Sequence, residues 1–320
     1  MRLSQIPIPD YIATVLPKSK TLWAGSRTYD EYVAELQEIA ASPYGAKRFR
    51  TVGLRVEGRL VCSFKRYERE LHCGERTLRA FGIGAVFTPP EERGRGYASA
   101  MLGAALDAEH TAGMDVAYLF SDIHPVFYER LGFIALPSRV MTLNVDSLDD
   151  RRIETQPIGD DDWASVRRCF ETLESRRAMG LRRTPLVWDF IRLRSTSRAQ
   201  TGQLVELLVR NGRTVSAYVF GRRIPERDSF VVDEYAYTGD DGFDAVPALL
   251  RSGAGDLRKV SGWLPPDIAR AAIPRGAVRK RRSAITMIAP LSKSARAAWR
   301  AAAPALLADD ADRVWSTDHI

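Results

Sequence analysis

The stretch between residues 77 and 106 constrains this chain more than any other. Residues 77–87 have the alternation and the aromatic and β-branched content of a strand. The chain then meets Pro89 and Pro90, passes Glu91 and Glu92, runs through Arg93-Gly94-Arg95-Gly96, and opens into an Ala-, Met- and Leu-rich segment, 98–106, that is helical in composition. A strand that feeds a glycine-rich loop at the start of a helix can hold an anion. The glycines let the backbone approach, successive N–H groups converge, and the positive end of the helix dipole adds to the field. Gly94 and Gly96 supply the approach, Arg93 and Arg95 bring cations to the same place, and a pyrophosphate is the natural ligand. Taken alone, Arg-Gly-Arg-Gly also fits a surface turn. It matches neither a P-loop, which needs Gly-Lys-Ser/Thr, nor the dinucleotide pattern GxGxxG.

The surroundings supply the context. Residues 1–23, with Pro7, Pro9 and Pro17, read as irregular. Tyr32, Val33, Leu36 and Ile39 lie near helical spacing within 29–41. Strands are expected at 49–56, 59–69 and 77–87, with turns at Glu57-Gly58 and Cys73-Gly74, which makes a meander. A compact strand at 116–120, a short helix at 125–130 and a strand region at 133–145 follow, completing an α/β unit with a mixed sheet. The polar stretch 144–154 suits a linker. A second cycle places helices at 163–173 and 186–193, strands at 204–210, 215–220 and 230–237, and a helix at 243–252. The repeated layout predicts two related domains, 1–147 and 148–320.

A length of 320 residues with 45% hydrophobic content agrees with two cores. No apolar run approaches the roughly 20 residues of a membrane span, and the first residues lack a signal core, so a soluble cytoplasmic protein with no membrane partner is expected. Cys62, Cys73 and Cys169 have no CxxC spacing and are odd in number, which argues against structural zinc and a disulfide framework; no metal is expected. The net charge of +7 is interspersed with acids, and the densest basic stretch, 275–282, is short. It reads as a solvated surface, so nucleic acid is not the expected partner. A homo-oligomer is compatible with these features.

Residues 86–98 resemble the cofactor motif of the GNAT superfamily of N-acetyltransferases, with Arg93, Gly96 and Ala98 at its fixed positions. About thirty residues later, Phe127-Tyr128-Glu129-Arg130-Leu131-Gly132-Phe133 resembles the superfamily's Tyr-x-x-x-Gly-Phe segment. The resemblance covers roughly residues 25–145. It implies two GNAT-like domains in tandem, each a mixed, mostly antiparallel sheet flanked by helices. The first would be the catalytic acetyl-CoA-binding domain and the second degenerate. This layout is similar to the enhanced intracellular survival acetyltransferases, and the wording of the motif to fungal lysine acetyltransferases.

The roles that follow are those the resemblance implies. Val86 and Thr88, with Phe87 between them, would pair their backbone with the pantetheine arm. Backbone N–H groups of Arg93, Gly94, Arg95, Gly96, Tyr97 and Ala98 would hold the pyrophosphate. Ser121 and Asp122 would touch the cofactor near its thioester, and Tyr128 would be the general acid that protonates the departing thiolate, with a packing role as its alternative. Residues 81–87 lack the carboxylate that many relatives use as a base. Asp122 and His124 are therefore candidates, and so is the chain terminus, because in the enhanced intracellular survival family a terminal carboxylate reaches the active site. Ile320 or Asp318 would be its counterpart. In the second half, Thr238-Gly239-Asp240-Asp241-Gly242 replaces the phosphate loop with negative charge, so no coenzyme A is expected there. Glu234 would face the acceptor or form a structural salt bridge. The expected reaction is acetyl transfer from acetyl-CoA to a primary amine: a small amine, an amino acid, an antibiotic-like compound or a lysine side chain. The alternative is a non-catalytic acetyl-CoA-binding sensor or interaction module.

Overall fold

The computed structural model describes residues 1–195, 199–265, 276–308 and 311–320. Arg275, the first residue of the basic stretch, lies outside them. The strands are β1 (Arg2–Ile6), β2 (Phe49–Val56), β3 (Arg59–Cys73), β4 (Arg76–Phe87), β5 (Val116–Ser121), β6 (Ile134–Ala135), β7 (Arg139–Asn144), β8 (Gln156–Pro157), β9 (Met179–Arg182), β10 (Gln203–Asn211), β11 (Thr214–Ile224), β12 (Ser229–Tyr237), β13 (Lys259–Trp263), β14 (Val278–Lys280) and β15 (Ile285–Pro290). They form two sheets flanked by helices. The first has the order β1-β2-β3-β4-β5-β15-β6, with β9 also paired to β3, and the second has the order β14-β7-β13-β12-β11-β10-β8. Both are mixed and mostly antiparallel. Among the described residues the parallel pairs are β4 with β5 and β12 with β13.

Each parallel pair is bridged by a helix, Tyr97–Thr111 in the first half and Gly239–Ala254 in the second. The same strand, helix, strand unit thus recurs, as a tandem architecture requires. The halves are also interlaced. β7, on the N-terminal side of the expected 147/148 boundary, belongs to the second sheet, while β9 and β15, on its C-terminal side, belong to the first.

The N-terminal expectation is corrected. Residues 1–23 form β1 and the helices Ile8–Thr14 and Leu16–Trp23, whose Pro9 and Pro17 stand in the first turn of each. Proline has no N–H to lose there and its fixed φ suits a helix start, so these prolines initiate helices. The helix Tyr29–Ala41 is closed by a capping box between Thr28 and Glu31. The single strand region expected at 133–145 is two strands in different sheets, β6 beside β15 and β7 beside β13.

One face of the first sheet is covered by the helix Tyr97–Thr111, whose Met101, Leu102, Ala105 and Leu106 share a core with Phe64, Phe81 and Ile83. Each fully buried large side chain of this kind contributes about 1.5–3 kcal/mol. The other face carries Lys65, Tyr67 and Arg69 of β3, directly opposite Gly84, Gly82 and Ala80 of β4, and directly paired residues point to the same side. The N-terminal helices and the helix Pro185–Leu193 pack around it, and the end of the chain crosses it.

Candidate active site

β4 runs parallel to β5 only from Ala80↔Val116 to Ile83↔Leu119, although both strands continue. The register with β3 shifts between Ser63 and Lys65, and Ala85 adopts φ +48°. This bulge turns the last residues of β4 away from β5 and leaves backbone groups of 84–87 free of a β5 partner, a place where an extended ligand can pair. β4 then leads into the glycine loop. Gly94 and Gly96 have φ of +76° and +75°, a left-handed conformation that costs an L side chain about 1–2 kcal/mol, and open space surrounds both. Gly96 caps the helix Tyr97–Thr111, whose first turn has no side-chain cap. Its N–H groups are therefore available to an anion.

The loop is fastened from outside. Buried Glu92 accepts from Arg95 at 3.2 Å and pairs with Arg59 at 2.9 Å, and Glu91 pairs with Lys18 at 2.7 Å. Arg93 donates to the Thr88 carbonyl at 3.1 Å. A small groove at the loop is lined by Thr88, Arg93, Gly94, Gly96, Tyr97 and Ala98. Thr88, Arg93 and Ala98 also line a cavity of about 620 Å³ that reaches Val86, Phe87, Asp122, Tyr128 and Ile320. The sequence motif and the cavity thus meet around one strand end.

The chain end fills the opposite wall. A Cβ on Gly82 would lie 2.2 Å from Ile320 Cδ1, and one on Gly84 would lie 3.4 and 3.5 Å from the Ile320 carboxyl carbon and oxygen. The two glycines make the recess that seats Ile320. Asp318, fully buried, accepts from Arg69 at 2.5 Å and from Arg183 at 2.7 Å. The Arg183 guanidinium also grips Glu234, at 2.9 and 2.5 Å, and Tyr218 and Thr317 donate to the same carboxylate. Arg183 and then Arg69 hold the Asp318 carboxyl below its ordinary range against the opposing effect of burial. His319 lies against Phe120 and Trp263, at centroid distances of 4.9 and 6.0 Å, and burial pushes its pKa down to about 3. Arg194 donates to the His319 carbonyl.

The other candidates are placed as follows. Tyr128 is buried at the cavity wall. Asp122 lines the cavity and accepts from the Ala284 N–H at 2.9 Å, which makes it a loop cap as well. Ser121 is turned back on its own loop, donating to the Ile123 carbonyl at 2.8 Å. His124 is exposed and accepts from the Val126 N–H, and neither it nor Arg95 lines the cavity or the loop groove. Glu234 is the centre of the salt-bridge network described above. All three cysteines are free and buried. Among the described residues no group of three or more His, Cys, Asp or Glu is assembled for a metal, and no helix is long and apolar enough to cross a membrane.

Arg27, Lys65, Tyr67 and Arg194, which also line the cavity, carried no motif. The signal that could have pointed to this wall is Phe81-Gly82-Ile83-Gly84: two glycines on one face of a strand mark a close approach by another backbone or a ligand. In the second half, Thr238 alone separates β12 from the helix Gly239–Ala254, whose first turn carries Asp240 and Asp241. No loop comparable to 88–96 exists there, and the charge repels a phosphate.

The acetyltransferase (GNAT) domain family matches residues 15–135, a segment that includes the splayed strand, the glycine loop and Tyr128. The chain is 28% identical over 172 residues to a lysine acetyltransferase of Yarrowia lipolytica, a match covering 46% of this chain and only 44% of that relative. Among solved structures it is similar to Eis1 from Mycobacterium abscessus, with 17% identity, TM-score 0.64, and coverage of 93% of this chain and 75% of that one. It is also similar to a tandem GNAT protein from the clavulanic acid biosynthesis pathway, with 13% identity, TM-score 0.53, and coverage of 91% and 98%. At these identities the structural likeness is one of fold, and it spans both halves: the protein is built as GNAT-like units in tandem.

Proposed function

We propose that this chain is an acetyl-CoA-dependent N-acetyltransferase with one coenzyme A site, and that its second half shapes the acceptor pocket. The observation that carries the reading is the single cavity that joins the splayed end of β4, the mouth of the glycine loop, Tyr128 and Ile320. In this reading the N–H groups of residues 94–98 and the Arg93 side chain hold the pyrophosphate, and the backbone of Val86 and Thr88 pairs with the pantetheine arm. The acceptor amine, in its neutral form, attacks the thioester carbon. A C–N bond forms, the C–S bond breaks, a β4 N–H stabilises the oxyanion, and the Tyr128 hydroxyl gives its proton to sulfur. The Asp122 carboxylate, on the cavity wall, takes the amine proton. His124 is outside the cavity, whereas Asp122 lines it and keeps a second carboxylate oxygen beside its bond from the Ala284 N–H, which makes Asp122 the better-placed base.

The acceptor is a primary amine, either a small molecule or a lysine side chain. The test is release of free thiol from acetyl-CoA with a panel of amines, run beside calorimetric acetyl-CoA binding. Thiol release above the amine-free rate is expected with at least one amine. Binding without release on any amine would support the sensor reading instead.

A further inference from the structure

The acceptor end of the cavity holds a cation that the reaction above does not use. Lys65 is 8% exposed and its side chain lines the cavity beside Tyr67 and Gly84. Among the described residues neither a hydrogen bond nor an ion pair reaches its ammonium. The rings of Tyr32 and Tyr11 lie within cation–π reach, at 5.4 and 6.0 Å from the centroids, but a ring brings no net counter-charge. Two further cations line the same space: Arg27, which is paired with Glu35, and Arg194, whose contacts are the His319 carbonyl and the Phe190 ring. Of the acidic groups of the cavity, Glu35 pairs with Arg27, Asp122 accepts from the Ala284 N–H, and the main-chain carboxyl group of Ile320 lies against Gly84; among the described residues none makes an ion pair with Lys65. A buried ammonium without a counter-ion is costly, and the group yields by losing its proton. Burial, then Arg194 and Arg27, push Lys65 down to about 7. A ligand carboxylate placed between Lys65 and Arg194 would remove this imbalance.

Building on the proposed acetyl transfer, we infer that the acceptor is a small amine that also carries a carboxylate, which seats against Lys65 and Arg194 while the amine faces Ile320 and Gly84. The carboxylate supplies the ion-pair partner that Lys65 lacks and orients the molecule so that the amine reaches the thioester. A lysine side chain within a protein has no such group beside its amine.

The test compares matched pairs on the whole chain with acetyl-CoA: tyrosine with tyramine, phenylalanine with phenethylamine, and β-alanine with ethylamine. At least one acid is expected to exceed its decarboxylated partner tenfold or more in kcat/KM, and Lys65→Met is expected to reduce that ratio at least tenfold, through KM. Decarboxylated amines that react as well as or better than the acids in the unaltered chain overturn the inference while leaving acetyl transfer intact. An acid preference that Lys65→Met leaves unchanged also overturns it. So does acetylation of Lys65 itself, seen as a gain of about 42 Da on its peptide when acetyl-CoA is supplied alone, because Lys65 would then be an amine substrate. Absence of thiol release with every amine of either kind sinks the proposed function instead, and is distinguishable from each of these results.

Discussion

The Tyr128 ring stands 4.9 Å from Phe127 and 5.9 Å from Phe133, centroid to centroid, and burial, with a contribution from Asp122, pushes its pKa up to about 12. A phenol so placed stays protonated at neutral pH and has a proton to give to a thiolate. Tyr128→Phe keeps the ring packing and removes only the donor, so kcat is expected to fall at least tenfold, within the usual range of about 10²–10⁴ for acid–base groups, with acetyl-CoA affinity changed less than twofold. Equal losses in both would make Tyr128 a packing residue. Lys65 presents the opposite case, a base whose pKa falls on folding, from 10.5 to about 7. Between those values the unfolded chain binds a proton that the folded chain does not, so this group's contribution to stability rises with pH across the window. Below pH 7 its penalty is fully present, each tenfold weakening of proton binding corresponding to about 1.4 kcal/mol. Lys65→Met is therefore expected to be more stable than the unaltered chain at pH 6, with the gap narrowing toward pH 10. Urea unfolding across that range checks this, and a gap independent of pH would contradict it.

At the scale of elements, the strand end and glycine loop were legible because local chemistry demands particular residues. The left-handed loop positions need Gly94 and Gly96, and the helix behind them needs a run of good helix formers. The N-terminal helices were not legible, since Pro9 and Pro17 punctuate a sequence in the same way whether they start a helix or break one. Nor was the exchange of β7, β9 and β15 between the halves. Strands this short carry too little periodicity to announce which sheet they join. The tail, 315–320, could be read as sticky, but its latch depends on Arg69 and Arg183, 249 and 135 positions away from Asp318. No local pattern encodes such a pairing.

Across the whole molecule, the two halves share a strand, helix, strand unit, and in the proposed function they divide the labour. The first keeps a long loop with cations and glycines between strand and helix. The second joins the same two elements through Thr238 and places Asp240 and Asp241 where an anion would have to sit. Its Glu234, together with Arg183, anchors the chain end that closes the cavity of the first half. The repeat itself was visible in the order of elements, whereas the difference between the halves was visible only in the loop residues. The number and place of coenzyme A sites put this division of labour to its most direct test. Titration calorimetry of acetyl-CoA, on the unaltered chain and on Arg93→Glu combined with Gly96→Glu, measures both. One site per chain is expected, lost in the double variant while circular dichroism shows the fold retained. Two sites, no binding by the unaltered chain, or undiminished affinity in a folded double variant would overturn it.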